Sequence, residues 1–123
     1  MLDERVRAAL TQGGVIDITT TGRKTGQPRR IEIVFHAFDG RVYISGFPRP
    51  QKRSWLANLE AQPRFTFHLK GEVAADLAAV ARPIAAEPQR REVLAKVAQT
   101  WNWTDIEDAV KMSPLVEVTF EGA

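Results

Sequence analysis

A chain of 123 residues with 44% hydrophobic and 26% charged side chains is long enough for one hydrophobic core, so we expect a single globular domain spanning residues 1–123. It contains no cysteine, which excludes disulfides, thiolate zinc sites and cysteine nucleophiles and fits a cytoplasmic protein. The formal net charge of +2 hides a basic segment, since residues 22–53 alone carry a net charge of +6. Such a segment predicts an anionic ligand or, as the alternative, a solvated basic surface.

The N-terminal segment predicts a short amphipathic helix. The helix is predicted over Asp3–Gln12, because the apolar residues Leu2, Val6 and Leu10 recur every four positions along it and just before it. Gly13-Gly14 ends the pattern. Charged residues interrupt this apolar series, so we expect neither a signal peptide nor a membrane-spanning segment here.

Three strands follow. Val15–Thr20 is rich in β-branched residues, and Thr21–Pro28 is a turn-rich connection to a second strand, Arg30–Phe38. The sequence does not show which face of this second strand points inward, because apolar residues occupy both sets of alternating positions. Asp39-Gly40 predicts a hairpin turn that leads into a third strand, Arg41–Ser45.

The middle of the chain alternates loop, helix and strand. After the Pro- and Gly-rich loop Gly46–Pro50, Gln51–Ala61 has apolar residues on one side and predicts a helix. Arg64–Lys70 predicts a fourth strand and Gly71 a turn. Glu72–Ile84 is rich in alanine, but its apolar residues do not share one helical face, so we predict a fifth strand.

Two helices and a last strand complete the pattern. Glu87–Thr100 predicts a helix. Thr104–Met112 predicts a second helix, which Thr104 would cap with Glu107 as its capping-box partner. Leu115–Phe120 predicts a sixth strand. Short turns between strands favour an antiparallel α+β fold or a small closed barrel. A parallel doubly wound sheet is not expected, because the first strands lack helical crossovers.

The segment Gly22–Arg29 is the first candidate binding site. Its two glycines allow the backbone to approach a ligand closely, and Arg23 and Lys24 are donors suited to phosphate or carboxylate. Thr25 adds a hydroxyl. The segment is not a P-loop, because it lies between strands. An ordinary basic connection between strands is the alternative.

The segment Ser45–Trp55 is the second candidate. It places Lys52 and Arg53 in the first turn of the predicted helix, where cations oppose the helix dipole unless an anion binds at the same end. The alternative is that the helix begins later in the chain.

Other residues offer less chemistry. His36 and His68 lie on different strands without ligand partners at metal spacing, so no metal site is expected, and His68 is predicted to lie on a strand surface. Trp101 and Trp103 are expected either to pack under the last helix or to line a pocket. There is no catalytic triad or carboxylate pair, so catalytic residues stay unassigned and any chemistry would reside in a cofactor.

These motifs together resemble the deazaflavin-dependent nitroreductase family. The resemblance rests on Thr21–Arg29, on Lys52–Arg64 and on Ser113–Val118, and it covers roughly residues 14–121. It implies the mainly β, split β-barrel fold of flavin-binding proteins similar to pyridoxamine oxidase, with about six strands and flanking helices. It further implies an oxidoreductase that uses reduced deazaflavin coenzyme F-420 to transfer a hydride to a quinone, nitro compound or enone.

The resemblance also implies positions for the coenzyme. Its phosphate and acidic tail would be held by the first candidate segment, its ring would lie near the end of the third strand, and the start of the following helix would complete the phosphate site. The residues concerned are Arg23, Lys24, Thr25, Gly26, Arg29, Ser45, Gly46, Lys52, Arg53, Trp55 and Asn58.

Several alternatives stay open at the level of sequence. The loop Gly46–Pro50 differs from the glycine-rich loop of family members, and Trp101 and Trp103 stand where members place tyrosines around the acceptor. FMN is the alternative cofactor, and a non-catalytic cofactor-binding barrel is the alternative function. A weak nucleic-acid binder is less favoured, because few aromatic residues interleave with the basic ones. Related barrels often pair, and the helices after residue 87 could supply the buried face of a homodimer.

Overall fold

The structure, a computed structural model that describes residues 2–122, contains one closed antiparallel barrel of six strands. The strand order around the barrel is β1-β2-β3-β6-β5-β4. The strands are Gly14–Thr21 (β1), Pro28–Phe38 (β2), Arg41–Ser45 (β3), Arg64–Leu69 (β4), Ala75–Pro83 (β5) and Leu115–Phe120 (β6). The predicted split-barrel fold with about six strands is therefore confirmed, including the strand predicted in the alanine-rich segment.

Alternating residues of these strands fill the barrel. Ile16, Ile18, Ile44, Phe67 and Val116 are fully buried in one continuous apolar cluster, as expected when every second side chain of a strand faces inward. The face of β2 that the sequence left open is settled by Phe35, which packs edge-on against Phe67 at a centroid distance of 5.2 Å.

Two predicted turns are present. Asp39 and Gly40 have φ values of 54° and 76°, the left-handed pair that suits a tight hairpin between β2 and β3. Gly71 has φ 104° and lies in the connection between the paired strands β4 and β5. The short connections explain why sequential strands pair here.

Among the described residues, four helices flank the barrel. They are Glu4–Leu10 (α1), Ser54–Ala61 (α2), Glu87–Trp101 (α3) and Ile106–Met112 (α4). Helix α1 inserts Val6 and Leu10 into the barrel core, at the end of the barrel where β1 begins. Helix α2 lies at the other end, beside the connection from β1 to β2.

Two predicted helix starts were wrong. Helix α2 begins at Ser54 rather than Gln51, because Arg53 is extended (φ −68°, ψ 143°) and its guanidinium donates to the carbonyl of Phe47. Helix α4 begins at Ile106, and its cap is Asp105, whose carboxylate accepts from the N–H groups of Glu107 and Asp108. Thr104 therefore does not cap α4.

Arg90 fixes α3 and α4 to the barrel. Its guanidinium donates to the carbonyls of Val110 (2.8 Å), Ile84 (3.0 Å) and Ser113 (2.7 Å). Burial lowers the pKa of Arg90. These bonds hold α3 and α4 over the outer face of β2 and β3, where they form a second apolar cluster around Tyr43 and Leu94.

Within residues 2–122, none of the helices combines the length and the apolar character that crossing a bilayer would require.

Candidate cofactor site

The first candidate segment faces α2 across a groove of about 450 Å³ at one end of the barrel. This volume lies in the range usual for small-molecule sites. The groove is lined by Thr20, Gly22, Arg23, Lys24, Thr25, Arg29, Ile31, Ser54, Trp55 and Asn58. Most of the residues predicted to bind a cofactor therefore surround one groove.

The loop between β1 and β2 is closed by its own backbone. The Gly22 N–H donates to the Gln27 carbonyl, and the Gly26 N–H donates to the Gly22 carbonyl, both at 2.8 Å. A Cβ on Gly22 would lie 2.9 Å from Thr25 Oγ1 and 3.1 Å from the Gln27 oxygen, and Gly26 has φ +71°. Both glycines are therefore required by the tight shape of the loop.

Asn58 joins this loop to helix α2. Its Oδ1 accepts from the backbone N–H of Arg23 at 3.1 Å and from Arg23 Nη1 at 3.0 Å. Its Nδ2 donates to Thr20 Oγ1 at 3.2 Å, and Asn58 and Thr20 are both buried. The two sequence segments, 35 residues apart, thus meet through one amide side chain whose hydrogen-bonding groups are used.

The groove carries unbalanced positive charge. Arg23, Lys24 and Arg29 are exposed at its edge, and across residues 2–122 none of the three forms a salt bridge. Basic residues elsewhere commonly have carboxylate partners, such as Arg30 with Asp17. Three cations without such partners around a concave surface favour an anionic ligand.

Lys52 and Arg53 occupy a different position from the one that the sequence predicted. Both residues precede α2, so their charges do not lie in its first turn and need no anion to offset the helix dipole. Lys52 Nζ pairs with Glu60 at 2.7 Å, and the two side chains are exposed. Neither Lys52 nor Arg53 is among the residues that line the groove.

Arg53 instead braces the loop that follows β3. Besides its bond to the Phe47 carbonyl, its Nη2 would lie 3.3 Å from a Cβ placed on Gly46. Its Nη1 is buried and has no hydrogen-bond partner in the described part of the chain. Burial and, secondarily, the charge of Arg49 lower the pKa of Arg53.

Ser45 and Trp55 have structural contacts of their own. The Ser45 hydroxyl donates to the Pro114 carbonyl at 2.8 Å and is buried, which fixes the end of β3 to the start of β6. Trp55 is mostly buried in the barrel core and reaches the floor of the groove with one part of its surface. Among the described residues, the side chains of Arg23 and Asn58 form no hydrogen bond with Ser45 or Gly46.

Four aromatic side chains form a cluster outside the barrel, beside the loop after β3. Trp101 contacts Phe47 and His36 at centroid distances of 5.1 and 4.8 Å, and Trp103 contacts Phe47 at 5.4 Å. Phe47 is 60% exposed, whereas both tryptophans are partly buried. The tryptophans therefore pack against each other, and Trp103 also packs against the apolar cluster of the last helix, as the first of the two predicted alternatives has it.

Sequence reasoning missed His36 as a member of this cluster. Its position next to Phe35 on β2 shows that it faces outward from the barrel, where Trp101 covers it. Its Nε2 is buried without a hydrogen-bond partner in the described residues. Burial lowers the pKa of His36 to about 4, so the ring is neutral at pH 7.

The prediction that His68 lies on a strand surface was wrong. The side chain is buried between neighbouring strands, with Nε2 2.7 Å from Thr19 Oγ1 and Nδ1 2.7 Å from Asp76 Oδ1. This hydrogen bond lowers the pKa of Asp76. Strand alternation placed His68 on the outer face correctly but could not reveal that cross-strand polar partners cover it.

A model of the F420H(2)-dependent quinone reductase family matches residues 3–119. A conserved hypothetical protein from Mycobacterium tuberculosis has a similar structure, with a TM-score of 0.75 and 17% identity over 98% of this chain and 81% of that one.

Two further solved structures share the fold. One is described as an F420-H2 dependent reductase, with a TM-score of 0.62 and 19% identity over 85% of this chain and 93% of that one. The other is described as a domain-swapped dimer, with a TM-score of 0.62 and 20% identity over 94% of this chain and 95% of that one.

Proposed function

The chain belongs to the F420H(2)-dependent quinone reductase family, and from this premise we propose that Arg23, Lys24 and Arg29 bind the phosphate and acidic tail of coenzyme F-420. It is an oxidoreductase, and coenzyme F-420 is its cofactor. The observation that carries the site assignment is the groove beside α2, where three cations lack carboxylate partners among residues 2–122 and Asn58 holds the loop in place.

The groove fits this cofactor on chemical grounds. Exposed guanidinium and ammonium groups are donors for a phosphate and for a polyanionic tail. Gly22 keeps the loop that carries these cations tight, because a Cβ there would meet Thr25 and Gln27 of the same loop. FMN, the alternative cofactor, has one phosphate and would leave part of this positive charge unmatched.

The protein's own role is to bind and orient. Reduced coenzyme F-420, when bound, supplies the hydride. Asn58 keeps the Arg23 guanidinium and the loop backbone in one arrangement before the ligand arrives, which reduces the entropy lost on binding. We propose that Thr25 and Gly26 contribute contacts in the same loop, and that Lys52 and Arg53 act by stabilising the neighbouring loop and helix.

We propose that the acceptor is a small, flat, conjugated molecule, a quinone, nitro compound or enone, that contacts the aromatic cluster. Phe47 presents its face to solvent beside Gly46, and Trp101 and Trp103 lie behind it. Planar acceptors stack favourably on such rings. Neutral His36 adds no charge to this surface, which suits an uncharged acceptor.

Fluorescence titration with coenzyme F-420 and with FMN tests the cofactor assignment. Arg23→Ala and Lys24→Ala should each weaken coenzyme binding by about tenfold, because one charge-assisted hydrogen bond contributes about 1.5–3 kcal/mol before screening by solvent. Arg5→Ala is the matched control, since Arg5 is an exposed cation on α1 at the other end of the barrel. Tighter binding of FMN, or equal losses in all three variants, would contradict the assignment.

Steady-state kinetics separates binding from chemistry. Because Arg23 and Lys24 are proposed to bind the non-reacting end of the coenzyme, their removal should raise the KM for coenzyme more than it lowers kcat. A loss confined to kcat would place these residues near the reacting atoms instead.

We further propose a cytoplasmic homodimer built from one cofactor-binding domain per chain. The lack of cysteine fits a reducing compartment. The solved structure described as a domain-swapped dimer supports pairing of such barrels.

A further inference from the structure

A second cavity, of about 470 Å³, lies at the opposite end of the barrel from the cofactor groove. Its walls come from three elements: the last turn of α1, the β2–β3 hairpin and the end of β6. The antiparallel pairing of β1 and β2 separates the two sites, because Thr21 pairs with Pro28 near the groove while Gly14 pairs with Phe35 near α1. This cavity therefore has no part in the cofactor site.

The floor of the cavity is apolar. Leu10, Val42 and Val118 line it, and Val42 and Val118 are cross-strand partners in the barrel. Ala37 and Phe120 extend the same surface toward the rim. An apolar floor of this size can accept a short aliphatic chain or one aromatic ring system.

The rim of the cavity combines two cations with two carboxylates that are already engaged. The carboxylate of Asp39 accepts from Lys96, which lowers the pKa of Asp39, and the carboxylate of Glu117 pairs with Arg82 at 2.5 Å. Arg41 lies 3.8 Å from Glu117, whereas Arg7 forms no salt bridge within residues 2–122. Because Lys96 and Arg82 already neutralise the two carboxylates, the four cations of this region outnumber them by two, and Arg7 is the rim cation that no carboxylate of residues 2–122 pairs with.

We propose that this cavity binds a small amphipathic anion, with its carboxylate or sulfonate at Arg7 and its apolar body on Leu10, Val42 and Val118. The apolar floor provides affinity through buried area, and the guanidinium selects the anionic head group. The same geometry disfavours an amphipathic cation, because Arg7 and Arg41 flank the entrance.

Octanoate is a suitable test ligand, and 1-octanol is its uncharged counterpart. Titration calorimetry on the full chain should show octanoate binding that weakens by roughly five- to tenfold in Arg7→Gln, with little change for octanol, since one charge-assisted contact is lost. Arg5→Gln is the matched control: it removes an exposed cation from the same helix, but Arg5 lines a different cavity. The Arg5→Gln variant should bind octanoate with the affinity of the wild type.

Amide chemical shifts locate the ligand independently. Octanoate should shift the resonances of Leu10, Val42 and Val118 and leave those of Arg23 and Asn58 unchanged. Lack of octanoate binding, equal weakening by Arg7→Gln and Arg5→Gln, or shifts confined to the cofactor groove would each overturn the proposal. Failure here would leave the coenzyme assignment intact, because the two experiments use different ligands and different ends of the barrel.

Discussion

Asn58 shows how a single side chain connects sequence segments that no local pattern relates. It satisfies the N–H and guanidinium of Arg23 and the hydroxyl of Thr20 from a buried position. Asn58→Ala should lower the free energy of unfolding by about 1–3 kcal/mol, because buried polar groups lose their partners. It should also weaken coenzyme binding, because Arg23 becomes free to move. Urea denaturation and coenzyme titration measure the two effects.

Asn58→Asp provides the comparison. It keeps an acceptor for Arg23 but loses the donor to Thr20 and places a negative charge beside the groove. Coenzyme affinity should therefore fall further than in Asn58→Ala, while stability falls less. If both variants bound the coenzyme as the wild type does, Asn58 would have no role in organising the site.

His36 makes stability depend on pH. Its pKa in the folded state is about 4, lowered by burial from the value of 6.5, so between these values the unfolded chain binds a proton that the folded chain does not. Stability should consequently decrease as the pH falls from 6.5 towards 4, by up to about 3 kcal/mol. Urea denaturation over this range should show a shallower slope for His36→Phe than for the wild type.

The residue scale is also where sequence reasoning was weakest. On β4, Phe65 and Phe67 alternate with polar residues and are buried in the core, as a strand pattern favours. This pattern missed the burial of His68, because the partners Thr19 and Asp76 belong to neighbouring strands. Contacts of this kind depend on strand register, which period-two patterns do not specify.

The N-cap of α4 is Asp105 in the structure, whereas the sequence predicted Thr104. Asp105→Ala should lower the free energy of unfolding by about 1 kcal/mol, because its carboxylate accepts from two N–H groups of the first turn. Thr104→Ala should change it by less than about 0.5 kcal/mol. Thermal or urea denaturation of the two variants measures the difference, and the reverse order would restore Thr104 as the cap.

Every element was predictable here, and so were the starts of β3, β4, α3 and β6, whereas the starts of α2 and α4 were not. The hairpin signal Asp39-Gly40 and the alternating strands led directly to the antiparallel pairing. The start of α2 was misplaced because Arg53 is extended and its guanidinium bonds to the carbonyl of Phe47, six residues earlier. A contact within the preceding loop thus overrode the helical pattern.

The mass of the protein in solution tests the proposed homodimer directly. Sedimentation equilibrium at micromolar protein should give twice the monomer mass of 13.8 kDa. The helices after residue 87 were expected to supply the contact face, but their buried residues Val93 and Leu94 already pack within the chain. A dimer through α3 or α4 would therefore use the exposed faces of these helices, and a monomeric mass would disprove the dimer.

The uneven distribution of charge leads to the last prediction. Many cations outside the groove have carboxylate partners, whereas Arg23, Lys24 and Arg29 have none among residues 2–122, so these three should contribute strongly to the field that an anionic ligand meets at the groove. Because the Debye length shrinks from about 10 Å at 0.1 M salt to about 3 Å at 1 M, coenzyme affinity should fall roughly tenfold between low salt and about 0.5 M salt. Fluorescence titration at several salt concentrations measures this slope. The slope should be shallower for a coenzyme analogue without the glutamate tail than for the coenzyme. With the coenzyme itself, the slope should be shallower for the Arg23→Ala, Lys24→Ala double variant than for the wild type. The Arg5→Ala variant should keep the wild-type slope. An affinity independent of salt would mean that the coenzyme is held by uncharged contacts, and the groove would then lose its role as the anion site.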